Sequence, residues 1–224
     1  MKVSVVIPVL NEAKSISLVL DAIPKPLVHE IVVVDNGSSD DSVMIARSRG
    51  AKVVHEPRRG YGRACLTGLR TLDHPDIVVF LDGDYSDFPE ELPQLLDPLT
   101  KGEADFVLGS RLLGSWEKGS IQPQVLERNR IACFLMKLFF KKKYTDIGPF
   151  RAIRYSVLES FKMQDHSYGW NIEMQLKAAK KGVRTCEIPV RYRRRIGGSK
   201  LSGSFRGSFP ATLKTFWAIL RHLP

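Results

Sequence analysis

Ile77-Val78-Val79-Phe80-Leu81-Asp82-Gly83-Asp84 delivers an uninterrupted apolar run directly onto two carboxylates. Its β-branched and aromatic residues, bounded upstream by His74-Pro75, read as a buried strand, so Asp82 and Asp84 leave the C-terminal end of that strand together. That edge is where open α/β sheets bind ligands. Two carboxylates one residue apart, with Gly83 letting the backbone turn tightly, can share a hard divalent cation that also takes oxygens from a diphosphate. The same residues also read as an acidic turn ahead of the helix that Pro89-Glu90-Glu91 begins. The surrounding chain has to decide between the two.

Upstream, residues 3–9 form a continuous apolar strand ending in Pro8-Val9-Leu10-Asn11-Glu12. Asn11 is expected to cap a helix whose apolar stripe runs through Ser15, Ile16, Leu18, Val19, Leu20, Ala22 and Ile23 until Pro24 stops it, and Glu12 then points to the ligand edge if the sheet is parallel. Residues 30–34 form a second strand, whose tip Asp35-Asn36-Gly37-Ser38-Ser39-Asp40 feeds a helix capped by Ser39 or Asp40 with Val43, Met44 and Ala46 inward. A carboxylate or carboxamide at that tip can hydrogen-bond a nucleobase edge or a ribose hydroxyl. A shorter strand, Ala51-Lys52-Val53-Val54-His55, precedes Arg58-Arg59-Gly60-Tyr61-Gly62-Arg63-Ala64, where glycines and arginines suit either a phosphate loop or an ordinary turn. Downstream come a helix over 89–100, a strand over 104–108 closed by Gly109-Ser110-Arg111, and a further strand over 184–190. This alternation predicts an α/β fold with a parallel sheet and right-handed crossovers.

The 224 residues suit one domain, and 43% hydrophobic with 26% charged residues is ordinary for a globular chain. The net charge of +10 is not ordinary, and it points to an anionic partner: nucleic acid, an acidic lipid surface or a phosphorylated substrate. Cys65, Cys133 and Cys186 lack metal-ligand spacing and suit a reducing compartment. The opening apolar run is stopped by Pro8, and no uncharged apolar stretch reaches the ~18 residues of a spanning helix. The expected location is therefore cytoplasmic, with peripheral contact to the cytoplasmic face of a membrane.

Two amphipathic stretches bear on that contact. Over 125–143, Ile131, Phe134, Leu135, Leu138 and Phe139 recur at helical spacing and Lys141-Lys142-Lys143 follow; near the C-terminus Phe209, Leu213, Phe216, Trp217 and Leu220 do the same, with Arg206, Lys214 and Arg221 on the same segment. Such stripes usually face a core, but the basic flanks also suit an anionic bilayer surface. Anchoring is expected from these helices or from another protein.

Six motifs in order carry a resemblance: Val6-Ile7-Pro8-Val9-Leu10-Asn11-Glu12, Val34-Asp35-Asn36-Gly37-Ser38, Asp82-Gly83-Asp84, Gly109-Ser110-Arg111, Ile147-Gly148-Pro149-Phe150-Arg151 and Gly198-Ser199-Lys200. Over nearly its whole length the chain resembles the family 2 glycosyltransferases of the GT-A fold, and within them the dolichol- or polyprenyl-phosphate hexosyltransferases. The resemblance implies a Rossmann-like, mostly parallel sheet flanked by helices. It divides the single domain 1–224 into a nucleotide-sugar and metal half at 1–111, an acceptor half at 112–200 and an amphipathic segment at 201–224. It implies Pro8, Leu10, Glu12, Val33, Asp35, Asn36 and Gly83 around the nucleotide of a donor such as GDP-mannose or UDP-glucose. Asp82 and Asp84 would hold Mg²⁺ or Mn²⁺, and Asp84, Arg111, Arg194 and Lys200 would carry catalysis at the phosphates. Asp35-Asn36-Gly37 departs from the Asp-Asp-Gly of many members, which loosens the assignment of the donor base.

Members that glycosylate hydroxyls usually carry a Glu-Asp pair before the late helix, and here that position reads Trp170-Asn171. A hydroxyl needs a base because its proton is tightly held, whereas a phosphate monoester is already anionic. A lipid phosphate acceptor is therefore expected, with Asp146, Arg151 and Glu173 as candidate acceptor contacts. The overall expectation is an inverting, metal-dependent hexosyltransferase, with a soluble or glycan acceptor as the alternative. A nucleotide-sugar binder without activity is disfavoured by the intact carboxylates and cations. Nucleic acid is not the expected partner, because the run Arg191-Tyr192-Arg193-Arg194-Arg195 interleaves a single aromatic where stacking on single strands would call for several.

Overall fold

The computed structural model describes residues 1–197. Strands β1 (Val3–Val9), β2 (Glu30–Asp35), β3 (Lys52–His55) and β4 (Ile77–Phe80) pair in parallel in the order β3-β2-β1-β4. The connecting helices are α1 (Ile16–Ala22), α2 (Ser42–Ser48) and α3 (Tyr61–Leu69). β1 and β4 are buried almost throughout because helices cover both faces, which explains their unbroken apolar character.

Beyond β4 the sheet departs from simple alternation. After α4 (Leu92–Thr100) comes β5 (Phe106–Ser110), but β6 (Arg151–Arg154) inserts between β4 and β5 and runs antiparallel to both. β7 (Thr185–Pro189) closes the edge parallel to β5, giving the seven-stranded order β3-β2-β1-β4-β6-β5-β7. The sheet is thus mostly parallel with one reversed strand. β6 escapes a periodicity reading because it is four residues long and its Arg151 is charged yet fully buried.

The long α5 (Pro123–Phe140), α6 (Tyr155–Phe161) and α7 (Trp170–Lys180) belong to the second half. One core lies on the α1, α2 and α4 side, through Ile16, Leu20, Leu95 and Leu99 against β1 and β4. The other packs Phe80, Phe106, Met136, Trp170 and Met174 on the opposite face, with the Phe80 and Trp170 rings edge to face at 5.8 Å.

Three local expectations are corrected. Asn11 does not cap α1: it sits at φ 52° and its side-chain carbonyl accepts the Ser39 N–H at 2.7 Å, tying the first strand tip to the second. Neither Ser39 nor Asp40 is the residue preceding α2; Asp41 is, and Asp40 accepts the Ser42 N–H at 3.1 Å. Met44 faces solvent, while Ile45 and Ala46 turn inward.

Candidate active site

Asp82 and Asp84 stand just past the C-terminal end of β4, beside the tips of β1 and β2, where two cavities meet. Tyr61, Asp82, Asp84, Tyr168 and Arg195 line both. The first cavity continues over Pro8, Leu10, Glu12, Asn36, Arg59, Gly60 and Gly83; the second over Arg111, Arg128, Asn129, Ile147 and Asn171. The carboxylates are therefore the junction of two binding spaces rather than a surface cap.

Each carboxylate is oriented. Asp84 accepts the Ser86 N–H at 2.9 Å and the Ser86 hydroxyl at 2.5 Å on Oδ1, which leaves Oδ2 toward the cavities. Asp82 accepts the Tyr61 hydroxyl at 3.0 Å. Burial, and then the charge of Asp84, push the Asp82 carboxyl up to about 7, partly offset by Tyr61, Arg195 and Arg111. Asp87 is buried behind them and raised in the same direction by desolvation and by both neighbours. This negative pair calls for a cation. Among the described residues no cluster of three or more His, Cys, Asp or Glu side chains is suited to hold a metal. Two carboxylate oxygens with room for phosphate and water ligands fit Mg²⁺ or Mn²⁺, not a closed structural zinc site.

In the first cavity Pro8, Leu10, Glu12, Asn36 and Gly83 line the wall as expected, but Val33 and Asp35 do not. Val33 is buried in the sheet. Asp35 turns away to accept the Ser38 N–H at 2.8 Å and to pair with His55 Nδ1 at 2.8 Å. Desolvation raises its pKa, yet Ser38 and His55 outweigh that and hold it below the usual value. Asn36 donates to the carbonyls of Glu56 and Arg58 at 3.0 and 2.9 Å and accepts the Gly60 N–H at 2.8 Å. Its amide is already engaged in bracing the 56–60 loop.

The Gly60-Tyr61-Gly62 loop, which the sequence left open between a phosphate loop and an ordinary turn, is engaged with another segment of the chain. The N–H groups of Gly62 and Arg63 donate to the carbonyls of Ser167 and His166 at 3.1 and 3.2 Å, so both are already engaged within the protein. A Cβ at Gly62 would lie 2.0 Å from the Asp165 carbonyl oxygen, so glycine is required because another backbone crosses there. The close crossing joins the segments that carry Tyr61 and Tyr168, both of which line the two cavities with the carboxylates.

In the second cavity Arg111 is held rigidly. Asp146, buried, takes its Nε at 2.7 Å and its Nη2 at 2.8 Å, and the Arg111 guanidinium lies 5.0 Å from the Tyr192 ring centre. Burial alone would raise the Asp146 pKa, but the Arg111 guanidinium more than offsets it and the net shift is downward. Asp146, Arg151 and Glu173 lie outside the lining of this cavity. Arg151 donates to the Asn171 carbonyl at 2.9 Å and to the Gly148 carbonyl, and burial lowers its pKa to about 10. Glu173 accepts the N–H groups of Gln164 and Asp165 at 3.0 and 2.7 Å and pairs with Lys177 at 2.6 Å. In this structure all three are bonded to the protein behind the cavity wall and none of them lines it.

The resemblance implied Arg194 at the phosphates; in this structure the arginine of the run that lines the cavities is its neighbour, Arg195. Arg194 faces outward, where its Nε and Nη2 donate to the Lys118 carbonyl at 2.9 and 2.7 Å. Arg195 reaches the site, 2.8 Å from Asp84 Oδ2 and 3.7 Å from Glu12. Lys200 and the amphipathic segment from 201 onward lie outside the described residues. Tyr61, Arg128, Tyr168, Tyr192 and Arg195 are among the lining residues that no motif singled out. The density of cations around Arg195 and Tyr192 and the glycines flanking Tyr61 were the signals for those three; Arg128 and Tyr168 carried none.

A mostly parallel α/β sheet with paired carboxylates at the tip of β4, between a nucleotide-sized cleft and a cationic one, defines the GT-A class of glycosyltransferase. Residues 4–161 match the model of Glycosyl transferase family 2, and the chain belongs to that family. An uncharacterized glycosyltransferase of Mycobacterium tuberculosis is 39% identical over 97% of both chains. An undecaprenyl-phosphate mannosyltransferase of Micrococcus luteus is 31% identical over 92% of this chain and 90% of its own. Among solved structures, glucosyl-3-phosphoglycerate synthase of M. tuberculosis with Mn²⁺, UDP-glucose and phosphoglyceric acid superimposes with a TM-score of 0.78 at 23% identity, over 100% of this chain and 80% of that one.

Proposed function

We propose that the protein transfers a hexose from a nucleotide-sugar to a polyprenyl phosphate, with inversion at the anomeric carbon. The observation that carries this is the makeup of the second cavity. Arg111, Arg128 and Arg195 line it, and its only carboxylates among the described residues are Asp82 and Asp84. Asn171, an amide that cannot accept a proton at neutral pH, lines it at the position where the resemblance would put the base of members that glycosylate hydroxyls. Such a pocket binds an acceptor that arrives already anionic. The likeness to an undecaprenyl-phosphate mannosyltransferase supports the same choice.

α5 adds a physical reason for a lipid. Its first turns give Val125, Arg128 and Asn129 to the cavity, while farther along Ile131, Phe134, Leu138 and Phe139 are 40 to 63% exposed beside Lys137 and Lys141. An apolar face with a basic border, continuous with the acceptor cavity, suits peripheral contact with an anionic membrane. Among the described residues no helix is long and apolar enough to cross one.

In this reading Asp82 and Asp84 hold Mg²⁺ or Mn²⁺ on the donor diphosphate, where the ion supplies charge neutralisation for the departing group. Tyr61 orients Asp82, and Ser86 orients Asp84. Arg111 and Arg128 fix the acceptor phosphate in line with the anomeric carbon. One phosphate oxygen forms the new bond to that carbon as its bond to the diphosphate breaks, and the electron pair leaves with the nucleoside diphosphate. A single displacement inverts the centre.

The test is transfer from radiolabelled GDP-mannose or UDP-glucose to undecaprenyl or dolichyl phosphate in detergent, with Mn²⁺ or with EDTA. Label entering the organic phase only with metal is the expected result. A second reading has one specific support: the structurally similar synthase is crystallised with phosphoglyceric acid, a small phosphate-bearing acceptor. Label appearing only on such a soluble phosphate would replace the lipid reading with that one.

A further inference from the structure

We propose that Arg195 is a switch between the two cavities: with no metal bound its guanidinium takes the cation's place on Asp84, and once displaced it turns to the acceptor phosphate. This rests on the assignment of the first cavity to a metal-bound donor and the second to a phosphate.

The backbone around Arg195 is fixed. Arg193 N–H donates to the Ser86 carbonyl at 2.9 Å and Ile196 N–H to the Asp84 carbonyl at 3.0 Å, so the segment lies along the turn that carries the carboxylates. The neighbouring arginines are committed elsewhere. Arg191 is 2.5 Å from Glu91, Arg193 stacks 3.5 Å from the centre of the Tyr85 ring, and Arg194 is tied to Lys118. Arg195 alone of the run lines both cavities.

The atom it holds matters. Ser86 engages Asp84 Oδ1, so Oδ2 is the oxygen turned to the cavities, and Arg195 Nη2 lies 2.8 Å from it. A divalent ion on Oδ2 and a guanidinium at that distance repel each other in a partly desolvated site, so one excludes the other. The contact also leaves Arg195 incompletely bonded, since its buried Nε has no hydrogen-bond partner among the described residues. A guanidinium satisfies Nε and Nη2 together on a phosphate, through two parallel hydrogen bonds. The fixed backbone and long side chain let the exchange occur by a swing of the side chain, without opening a lid.

Two couplings follow. Arg195 opposes metal binding when no phosphate is present, and Asp84 opposes phosphate binding when no metal is present. Displacement of one therefore favours the other, and the linkage is reciprocal.

The test measures binding with the full chain, without donor or lipid. Mn²⁺ affinity is read by electron paramagnetic resonance for wild type, Arg195→Ala and Arg195→Met. Inorganic phosphate affinity is read by calorimetry in EDTA for wild type, Asp84→Asn, Arg195→Ala and the double variant. Both Arg195 variants are expected to bind Mn²⁺ about fivefold or more tightly than wild type, the lower end of ordinary coupling. Asp84→Asn is expected to bind phosphate more tightly by a similar factor, and the gain should vanish in the double variant. Unchanged or weaker Mn²⁺ binding in both Arg195 variants, or a phosphate gain that survives loss of Arg195, would overturn the switch. Failure of lipid transfer, by contrast, would alter none of these affinities.

Discussion

Asp146 grips Arg111 through two parallel contacts, Nε to Oδ2 at 2.7 Å and Nη2 to Oδ1 at 2.8 Å, with both side chains almost wholly out of water. The pair joins the tip of β5 to the loop before β6, so it sets one wall of the cationic cavity. Removing the carboxylate strands a buried cation. Asp146→Ala is expected to cost about 3–5 kcal/mol of stability and to lower transfer with it. Thermal melts alongside a transfer assay check this, and a melting temperature close to wild type would show that the pair is not a structural brace.

Asp84 faces both cavities and keeps one oxygen toward them. Asp84→Ala is expected to reduce metal-dependent transfer by about a hundredfold or more, since the departing diphosphate loses its neutralising partner. Initial rates across a Mn²⁺ titration measure it. Unchanged metal-dependent turnover would remove Asp84 from the mechanism.

Asp82 gives the metal-free protein a pH dependence of definite sign. Its carboxyl is pushed up to about 7 by burial and by Asp84, against Tyr61, Arg195 and Arg111. An unfolded Asp titrates near about 3.9. Between those values the folded state retains a proton that the unfolded chain has lost, so this group makes stability fall as pH rises from about 4 to about 7. Asp82→Asn should then stabilise the metal-free protein at pH 8 by on the order of 1–2 kcal/mol, with little effect near pH 4, while impairing transfer. Melts in EDTA at the two pH values decide it; an equal gain at both would contradict the assignment.

The exposed face of α5 yields a test independent of catalysis. Phe134→Glu with Leu138→Glu places charge on side chains that are 63 and 58% exposed, so folding should be unaffected. Co-sedimentation with phosphatidylglycerol vesicles is expected to fall severalfold in the double variant, and wild-type binding should weaken as salt is raised. Equal sedimentation of variant and wild type would mean that α5 is not the membrane contact.

Gly62 tests how Tyr61 is positioned. The added Cβ of Gly62→Ala would meet the Asp165 carbonyl oxygen at 2.0 Å, which forces two backbones apart. A loss of about 1–3 kcal/mol is expected, together with reduced transfer as the Tyr61 hydroxyl leaves Asp82. Melting and transfer rates measured on one preparation would reveal any separation of the two effects.

Much of this arrangement was legible before any coordinates. The strand ending in Asp82-Gly83-Asp84, the first two strand tips, the helix over 89–100 and the identity of the family all follow from local pattern and motif order. The reversed β6 was not legible, because four residues with a buried arginine carry no strand periodicity. Asp35 and Asn36 were correctly located at a strand tip, yet their side chains brace His55 and the 56–60 loop.

The sequence by itself determined which residues form elements and where the paired carboxylates emerge, because periodicity and turn chemistry act between near neighbours. Only the tertiary structure decided which arginine of the 191–195 run enters the site, which carboxylates brace the cavity and which line it, and that the α5 stripe faces out. Those outcomes depend on contacts between segments far apart in the chain. Glu117 and Lys118 capture Arg194, and Asp84 receives Arg195. Side-chain direction in an irregular segment follows from such partners, and no local pattern encodes it.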